Sequence, residues 1–131
     1  MDKHVVVFVG THTEPMEQLM VDCCDPSLDL RFTEPHFAAK GEIADAEALI
    51  VSGYKVTAEM MDSAPKLRMI SNAGAAFSCI DINAAKERGI FACNVPGKNA
   101  ITTAEMTIAL MLACWRRIPM VDRRVKSGEW H

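Results

Sequence analysis

Small and polar residues gather in four short segments, each of which follows a predicted buried strand: 10–13, 52–54, 72–76 and 94–99. Ligands of parallel α/β sheets bind outside the carboxyl ends of the strands, so these segments form a candidate binding rim. Residues 72–76 are the most informative, because their small side chains leave backbone N–H groups accessible to an anion such as a carboxylate. The simpler alternative is that alanine and glycine only permit a tight turn there.

The elements that position these segments alternate between strand and helix. Buried strands are predicted at 4–9, 48–51, 67–71 and 90–93, and a less covered edge strand at 28–32. Helices are predicted at 14–23, at 58–64 after the N-cap Thr57, and from the N-cap Asp81 to Gly89. In the first helix, Met16, Leu19 and Met20 have the spacing of a buried face. The pattern predicts an α/β fold, an open parallel sheet with helices on both faces.

The carboxyl-terminal part of the sequence differs in kind from the α/β part. Residues 94–99 are rich in turn formers, which predicts a boundary between a domain at 1–97 and helices at 98–131. The helix predicted at 102–115 is apolar almost all round, so it requires burial on every side. Residues 121–126 are predicted to form one more short helix. We expect the long helix to need a partner that this chain does not supply.

Composition excludes several classes of function. A net charge of −3 offers no general attraction for nucleic acid or for an anionic membrane. The longest apolar stretch, 108–115, is far below the roughly 20 residues of a membrane span, and no signal peptide is recognised, so we expect a cytoplasmic protein. Five cysteines without CxxC spacing predict reduced, mostly buried thiols, and the four histidines lack metal-ligand spacing.

A series of motifs recurs in one order along the chain, among them Asn94-Val95-Pro96-Gly97. The matching segments are 66–74, 80–81, 84–85, 87–90, 94–100, 104–105, 116–119 and 128–130. Together they resemble D-isomer-specific 2-hydroxyacid dehydrogenases of the phosphoglycerate dehydrogenase type, most strongly over residues 47–130. The resemblance implies a flavodoxin-like substrate-binding domain, followed by an inter-domain helix that begins a separate Rossmann NAD-binding domain.

The resemblance also implies roles for individual residues. Main-chain amides near Ala73, Gly74 and Ala75, helped by Ser52 and Gly53, would hold the substrate carboxylate. Asn72 stands where the family usually has an arginine, and Ala76, Ser78 and Cys79 depart from the family's glycine and Asp-Asn pair. Ala75 and Thr103 would line the nicotinamide end of the cofactor.

The family's catalytic arginine, glutamate and histidine have no counterpart in these 131 residues. The seven glycines never form the GxGxxG fingerprint of a pyrophosphate site. The resemblance therefore implies a fragment of an NAD- or NADP-dependent oxidoreductase acting on a small D-2-hydroxy acid or its 2-oxo form. The fragment has no catalytic residue of its own, and we expect it to be inactive and to bind no cofactor alone.

Other classes of function remain open. In a stand-alone flavodoxin-like module, Thr11-His12-Thr13 would be a flavin phosphate loop, although the acidic Glu14 and the lack of a loop glycine oppose it. A receiver domain lacks support because no acidic pair follows the first strand. An interaction module would use the 102–115 helix to form a homodimer.

Overall fold

The structure is a computed structural model that describes residues 3–37 and 41–129. Five strands and four helices alternate along these residues, and two further helices follow the last strand. The strands are β1 (His4–Val9), β2 (Leu28–Thr33), β3 (Ala48–Val51), β4 (Met69–Asn72) and β5 (Phe91–Asn94). The helices are α1 (Glu14–Asp22), α2 (Pro35–Phe37), α3 (Ala58–Asp62), α4 (Ile82–Glu87), α5 (Ala100–Trp115) and α6 (Ile118–Lys126).

All five strands form one parallel sheet in the order β2-β1-β3-β4-β5. This is the flavodoxin-like order, so the predicted fold class is confirmed. The last residues of the strands are aligned by the register and form a single row across the carboxyl edge of the sheet. The row consists of Thr33, Val9, Val51, Asn72 and Asn94.

The main core lies on one face of the sheet. Side chains of a strand alternate between its faces, and here Val7, Val9, Leu49, Val51 and Ile70 enter the same cluster. Buried residues of α3 and α4 pack into that cluster as well. Fully burying one such side chain contributes roughly 1.5–3 kcal/mol, so this cluster is the main source of stability.

The buried face predicted for α1 is wrong at Leu19, which is 65% exposed. Met16 and Met20 are half-buried, as is Glu17, which pairs with the His12 ring across 3.3 Å. The inward stripe is therefore centred between Met16 and Glu17. At 100° per residue, Leu19 falls beyond the edge of that stripe.

Most predicted boundaries are close to the observed ones. β1 and β3 begin and end at the predicted residues. β4 begins two residues later than predicted and β5 one residue later, and each ends one residue later. The predicted caps are confirmed: Thr57 Oγ1 accepts from Met60 N at 3.4 Å, and Asp81 Oδ1 accepts from Ala84 N at 3.0 Å. α3 ends at Asp62, two residues earlier than predicted.

The chain divides into two compact units, residues 1–96 and 97–131. Within the second unit, α5 and α6 contain no buried residue. The apolar side chains of α5 are exposed, with Leu110 at 58% and Met111 at 65%. Among the described residues, the second unit thus leaves the apolar side chains of α5 uncovered.

Two further observations concern the thiols and the membrane. All five cysteines are free, but none is buried: Cys23 and Cys114 are exposed and the others are half-buried. The prediction of mostly buried thiols is therefore wrong, because no cysteine lies within the main cluster and Cys79 only packs against it. Within the part of the chain that the structure describes, no helix is long and apolar enough to cross a membrane.

Candidate functional site

The candidate site is the loop that leaves β4 at the carboxyl edge of the sheet, residues 73–79. Asn72 ends β4 and pairs in register with Asn94, which ends β5. Asn72 is buried, and the loop residues from Ala75 to Ser78 are exposed. The loop therefore stands on a fixed base and presents its backbone to solvent.

The carbonyl groups of this loop are engaged by hydrogen bonds to its base. Gly74 O accepts from Val95 N at 3.1 Å. Ala75 O accepts from Asn94 Nδ2 and Ala76 O accepts from Asn72 Nδ2, both at 2.6 Å. Three successive carbonyl groups are thus satisfied inside the protein.

The N–H groups of the same loop show the opposite pattern. Ala73 N donates to Val51 O at 2.8 Å. Among residues 3–37 and 41–129, the N–H groups of Gly74, Ala75, Ala76 and Phe77 have no acceptor. A loop with bound acceptors and free donors has a positive electrostatic character, as in the backbone nests that bind anions.

The donor set differs from the one that sequence reasoning identified. The Ala73 amide is already used by β3, while the free donors extend to Ala76 and Phe77. Asn72 does not project from the loop, because its side chain is 7% exposed and its amide is bonded to Ala76 O. The role of Asn94 in shaping the loop was not predicted from the sequence. The feature that could have revealed it is its position at the end of a strand, next to Asn72 in the sheet.

The backbone conformation of Gly74 shows whether the loop needs a glycine to make a tight turn. Six of the seven glycines have positive φ, and Gly74 is not among them. A Cβ at Gly74 would meet only Asn72 Nδ2, at an ordinary 3.5 Å. The backbone conformation therefore does not require glycine at this position.

The neighbouring loop after β3 contains Ser52 and Gly53. Ser52 N donates to Val9 O at 3.0 Å, and its exposed hydroxyl has no partner among the described residues. Gly53 has a φ of 68°, the left-handed conformation that favours glycine. Gly10 lies close by, because a Cβ there would be 2.8 Å from Ser52 O. The end of β1 thus depends on a residue without a side chain.

His12 follows β1 on the same rim but is held in place. Its Nδ1 donates to Gly10 O at 2.7 Å, and its Nε2 lies 3.3 Å from Glu17 Oε1. The ring packs edge-on against Phe8 with a centroid distance of 6.2 Å. His12 is therefore a packed part of the β1–α1 connection rather than a solvated loop histidine.

Thr103 belongs to the second compact unit and lies in the exposed first half of α5. Its N–H donates to Asn99 O at 2.9 Å and its carbonyl accepts from Thr107 Oγ1 at 2.8 Å.

Within the described ranges, no group of three or more His, Cys, Asp or Glu side chains could hold a metal ion.

Two known enzymes are similar in sequence to this chain. D-3-phosphoglycerate dehydrogenase of Archaeoglobus fulgidus is 51% identical over 90 residues, 68% of this chain and 17% of its own length. Glyoxylate reductase of Thermofilum pendens is 35% identical over 120 residues, 89% of this chain and 35% of its own length. This chain therefore spans about a sixth to a third of these relatives.

Solved structures agree with the sequence relatives. The D-lactate dehydrogenase of Aquifex aeolicus, solved with NAD and lactic acid, superimposes with a TM-score of 0.79 at 26% identity. That match covers 96% of this chain and 38% of the other. The family model of the D-isomer specific 2-hydroxyacid dehydrogenase catalytic domain matches residues 6–124. This chain belongs to the D-isomer specific 2-hydroxyacid dehydrogenase family.

Proposed function

We propose that this chain supplies the substrate-carboxylate-binding lobe of an NAD- or NADP-dependent dehydrogenase that acts on the CH–OH group of a small D-2-hydroxy acid. The observation that carries the proposal is the loop after β4. Its carbonyl groups are bonded internally, and the N–H groups from Gly74 to Phe77 are free. A carboxylate is an acceptor-only group that such donors suit.

The neighbouring residues extend this assignment. Ser52 and Gly53 follow the adjacent strand, β3. The exposed hydroxyl of Ser52 and the backbone N–H of Gly53 would supply further donors to the carboxylate. Ala75 and Thr103 would face the nicotinamide end of the cofactor in the whole enzyme. Residues 1–97 would be the substrate-binding domain, and residues 98–131 the linker helices that begin the nucleotide-binding domain.

The residues of this chain do not fit a dinucleotide cofactor. A pyrophosphate group is bound by a glycine-rich turn between a strand and a helix, and the glycines here are scattered. They stand at positions 10, 41, 53, 74, 89, 97 and 128. The cofactor-binding site and the acid–base groups would therefore lie elsewhere in a longer polypeptide. This chain alone would bind and orient the substrate without turning it over.

A second candidate function is self-association, which the exposure of α5 favours. Its side chains are apolar almost all round, and contiguous exposed apolar surface of this kind marks an interaction site. We propose a homodimer that forms through residues 102–115. As a stand-alone role, this would make the chain a dimerising module; within a dehydrogenase, it would join two subunits.

The five cysteines inform the compartment. None forms a disulfide, although Cys23 and Cys114 are exposed. We propose that the protein is cytoplasmic, where glutathione and thioredoxin would keep such thiols reduced.

A chimera tests the proposed function. The aligned segment of the Archaeoglobus fulgidus enzyme is replaced by that of this chain, and NAD(P)H absorbance is followed with a series of D-2-hydroxy and 2-oxo acids. We expect turnover by the chimera and none by the 131-residue chain alone. A chimera that folds like its parent, as judged by circular dichroism, but acts on none of these acids would overturn the proposal.

A further inference from the structure

Two asparagines occupy equivalent positions at the base of the candidate loop. Asn72 and Asn94 end adjacent strands and are paired in the register of the sheet. Each donates its side-chain amide to a loop carbonyl at 2.6 Å, Asn72 to Ala76 O and Asn94 to Ala75 O. The strand ends thus hold the loop through side chains as well as through the backbone.

The consequence follows from the planarity of the peptide group. No peptide bond in the described residues is cis, and in a trans peptide the C=O and N–H groups point in opposite directions. Holding the carbonyls of Gly74, Ala75 and Ala76 toward the base turns away the N–H groups of the residues that follow them. Those residues are Ala75, Ala76 and Phe77, whose N–H groups have no acceptor in the described part of the chain.

We propose that Asn72 and Asn94 are positioning residues of the carboxylate site, and that neither contacts the substrate. This inference rests on the proposed function. It states how the loop after β4 keeps three successive peptide dipoles aligned. Asn72 is buried and its amide nitrogen is occupied, so its side chain acts on the loop rather than on a ligand. The donors that meet the carboxylate are the backbone N–H groups of Ala75, Ala76 and Phe77.

Neutral anchors suit this task better than ionised ones. An asparagine donates to a carbonyl without placing a charge beneath the loop, whereas an aspartate at the same position only accepts hydrogen bonds and repels the carbonyl oxygen. The substitutions Asn94→Asp and Asn72→Asp should therefore release the carbonyl that each residue holds. Asn83→Asp is the matched control, because Asn83 is exposed on α4 and makes no side-chain hydrogen bond among the described residues.

The test is nuclear magnetic resonance of the ¹⁵N-labelled 131-residue chain, without ligand and then titrated with sodium glycolate. In both loop variants, we expect lowered heteronuclear NOE values at residues 73–77. Amide shifts should also occur at these residues, in addition to the shifts at the substituted residue and its neighbours in the chain. Glycolate affinity should fall by roughly threefold to tenfold, the effect of one hydrogen bond. The control should retain the wild-type loop signals and bind within about twofold of the wild type, a difference that charge alone can produce.

The outcomes separate this inference from the function on which it rests. If the wild type does not respond to glycolate, the carboxylate function fails, and the loop signals without ligand still decide whether the asparagines position residues 75–77. Unchanged loop signals in both variants would overturn the inference. If Asn72→Asp does not fold because its side chain is buried, Asn94→Asp carries the test, since Asn94 is only half-buried.

Discussion

The sheet unit and the two-helix unit contain similar apolar side chains but dispose of them differently. In residues 1–96, Leu49 and Ile70 are completely buried. In residues 97–131, Leu110 and Met111 are more than half exposed, and neither α5 nor α6 has a buried residue. The sheet unit thus derives its stability from its own core. The helical unit carries a sequence suited to a partner, because a helix that is apolar almost all round gains little stability until it is covered.

A pair of leucine truncations would break this comparison most directly. Leu49→Ala removes a fully buried side chain and should lower the free energy of unfolding by about 3 kcal/mol. Leu110→Ala makes the same chemical change on exposed α5 and should alter it by less than about 0.5 kcal/mol. Urea unfolding followed by circular dichroism, at a concentration where the chain is monomeric, measures both. Equal losses would refute the division into two regions.

A second pair of variants tests the carboxyl edge of the sheet. Gly10→Ala places a Cβ 2.8 Å from Ser52 O, a backbone atom that cannot move freely, and should cost about 2 kcal/mol. Gly74→Ala is the matched control, since its Cβ meets only Asn72 Nδ2 at 3.5 Å and its φ is not positive. The control should unfold at nearly the wild-type urea concentration. Tolerance of Gly10→Ala would show that β1 and β3 approach less closely than described.

The third prediction concerns the partner of α5. If residues 102–115 form a homodimer, Leu110→Ala should weaken self-association about thirtyfold, which corresponds to about 2 kcal/mol, the lower end of the effect of truncating a buried leucine. Sedimentation velocity over a range of concentrations gives the dissociation constant. Leu19→Ala is the control, because Leu19 is equally exposed on α1 in the sheet unit. A wild-type chain that remains monomeric at every concentration would contradict the dimer.

The smallest expected effect lies at the surface of the sheet unit, where Arg88 Nε donates to Asp62 Oδ1 at 2.7 Å. This hydrogen bond lowers the pKa of Asp62 below the ordinary value of 3.8. A carboxyl group with a lowered pKa stabilises the fold above its unfolded pKa, and that contribution is lost as pH falls through the folded pKa. Because the pair is exposed, the effect should be slight.

Acid titrations of unfolding free energy would detect this contribution. Between about pH 5 and about pH 2, the wild type should lose slightly more stability than Asp62→Asn. Glu59→Gln is the matched control on the same helix, as Glu59 has no ion pair among the described residues, and it should follow the wild type. Identical acid profiles for the wild type and Asp62→Asn would show that the pair contributes nothing measurable.

Much of the fold followed from local patterns in the sequence. The uninterrupted apolar run of β1 and the caps Thr57 and Asp81 specify their elements through nearby residues only, and the structure agrees. Leu19 was misplaced because the inward stripe of α1 depends on the pairing of Glu17 with His12. That pairing is a tertiary contact, and helical spacing alone does not reveal it.

The candidate site was predictable in location but not in detail. Small residues after a buried strand pointed to the loop at 72–76, which lies on the carboxyl edge of the sheet. Which amides are free depends on the strand register: Val51 O takes the Ala73 amide, and Asn94 reaches Ala75 O from a residue 19 positions away. Hydrogen bonds over such separations are set by the assembled sheet.

On the proposed function, backbone amides of the loop after β4 bind the carboxylate of a 2-hydroxy acid. The most direct measurement is a glycolate titration of the wild-type 131-residue chain, followed in ¹H–¹⁵N correlation spectra against sodium chloride of equal ionic strength. We expect saturable shifts at the amides of Ala75, Ala76 and Phe77, and none at the control position Asn83. Shifts no larger than those with chloride, or shifts centred on another part of the chain, would contradict it.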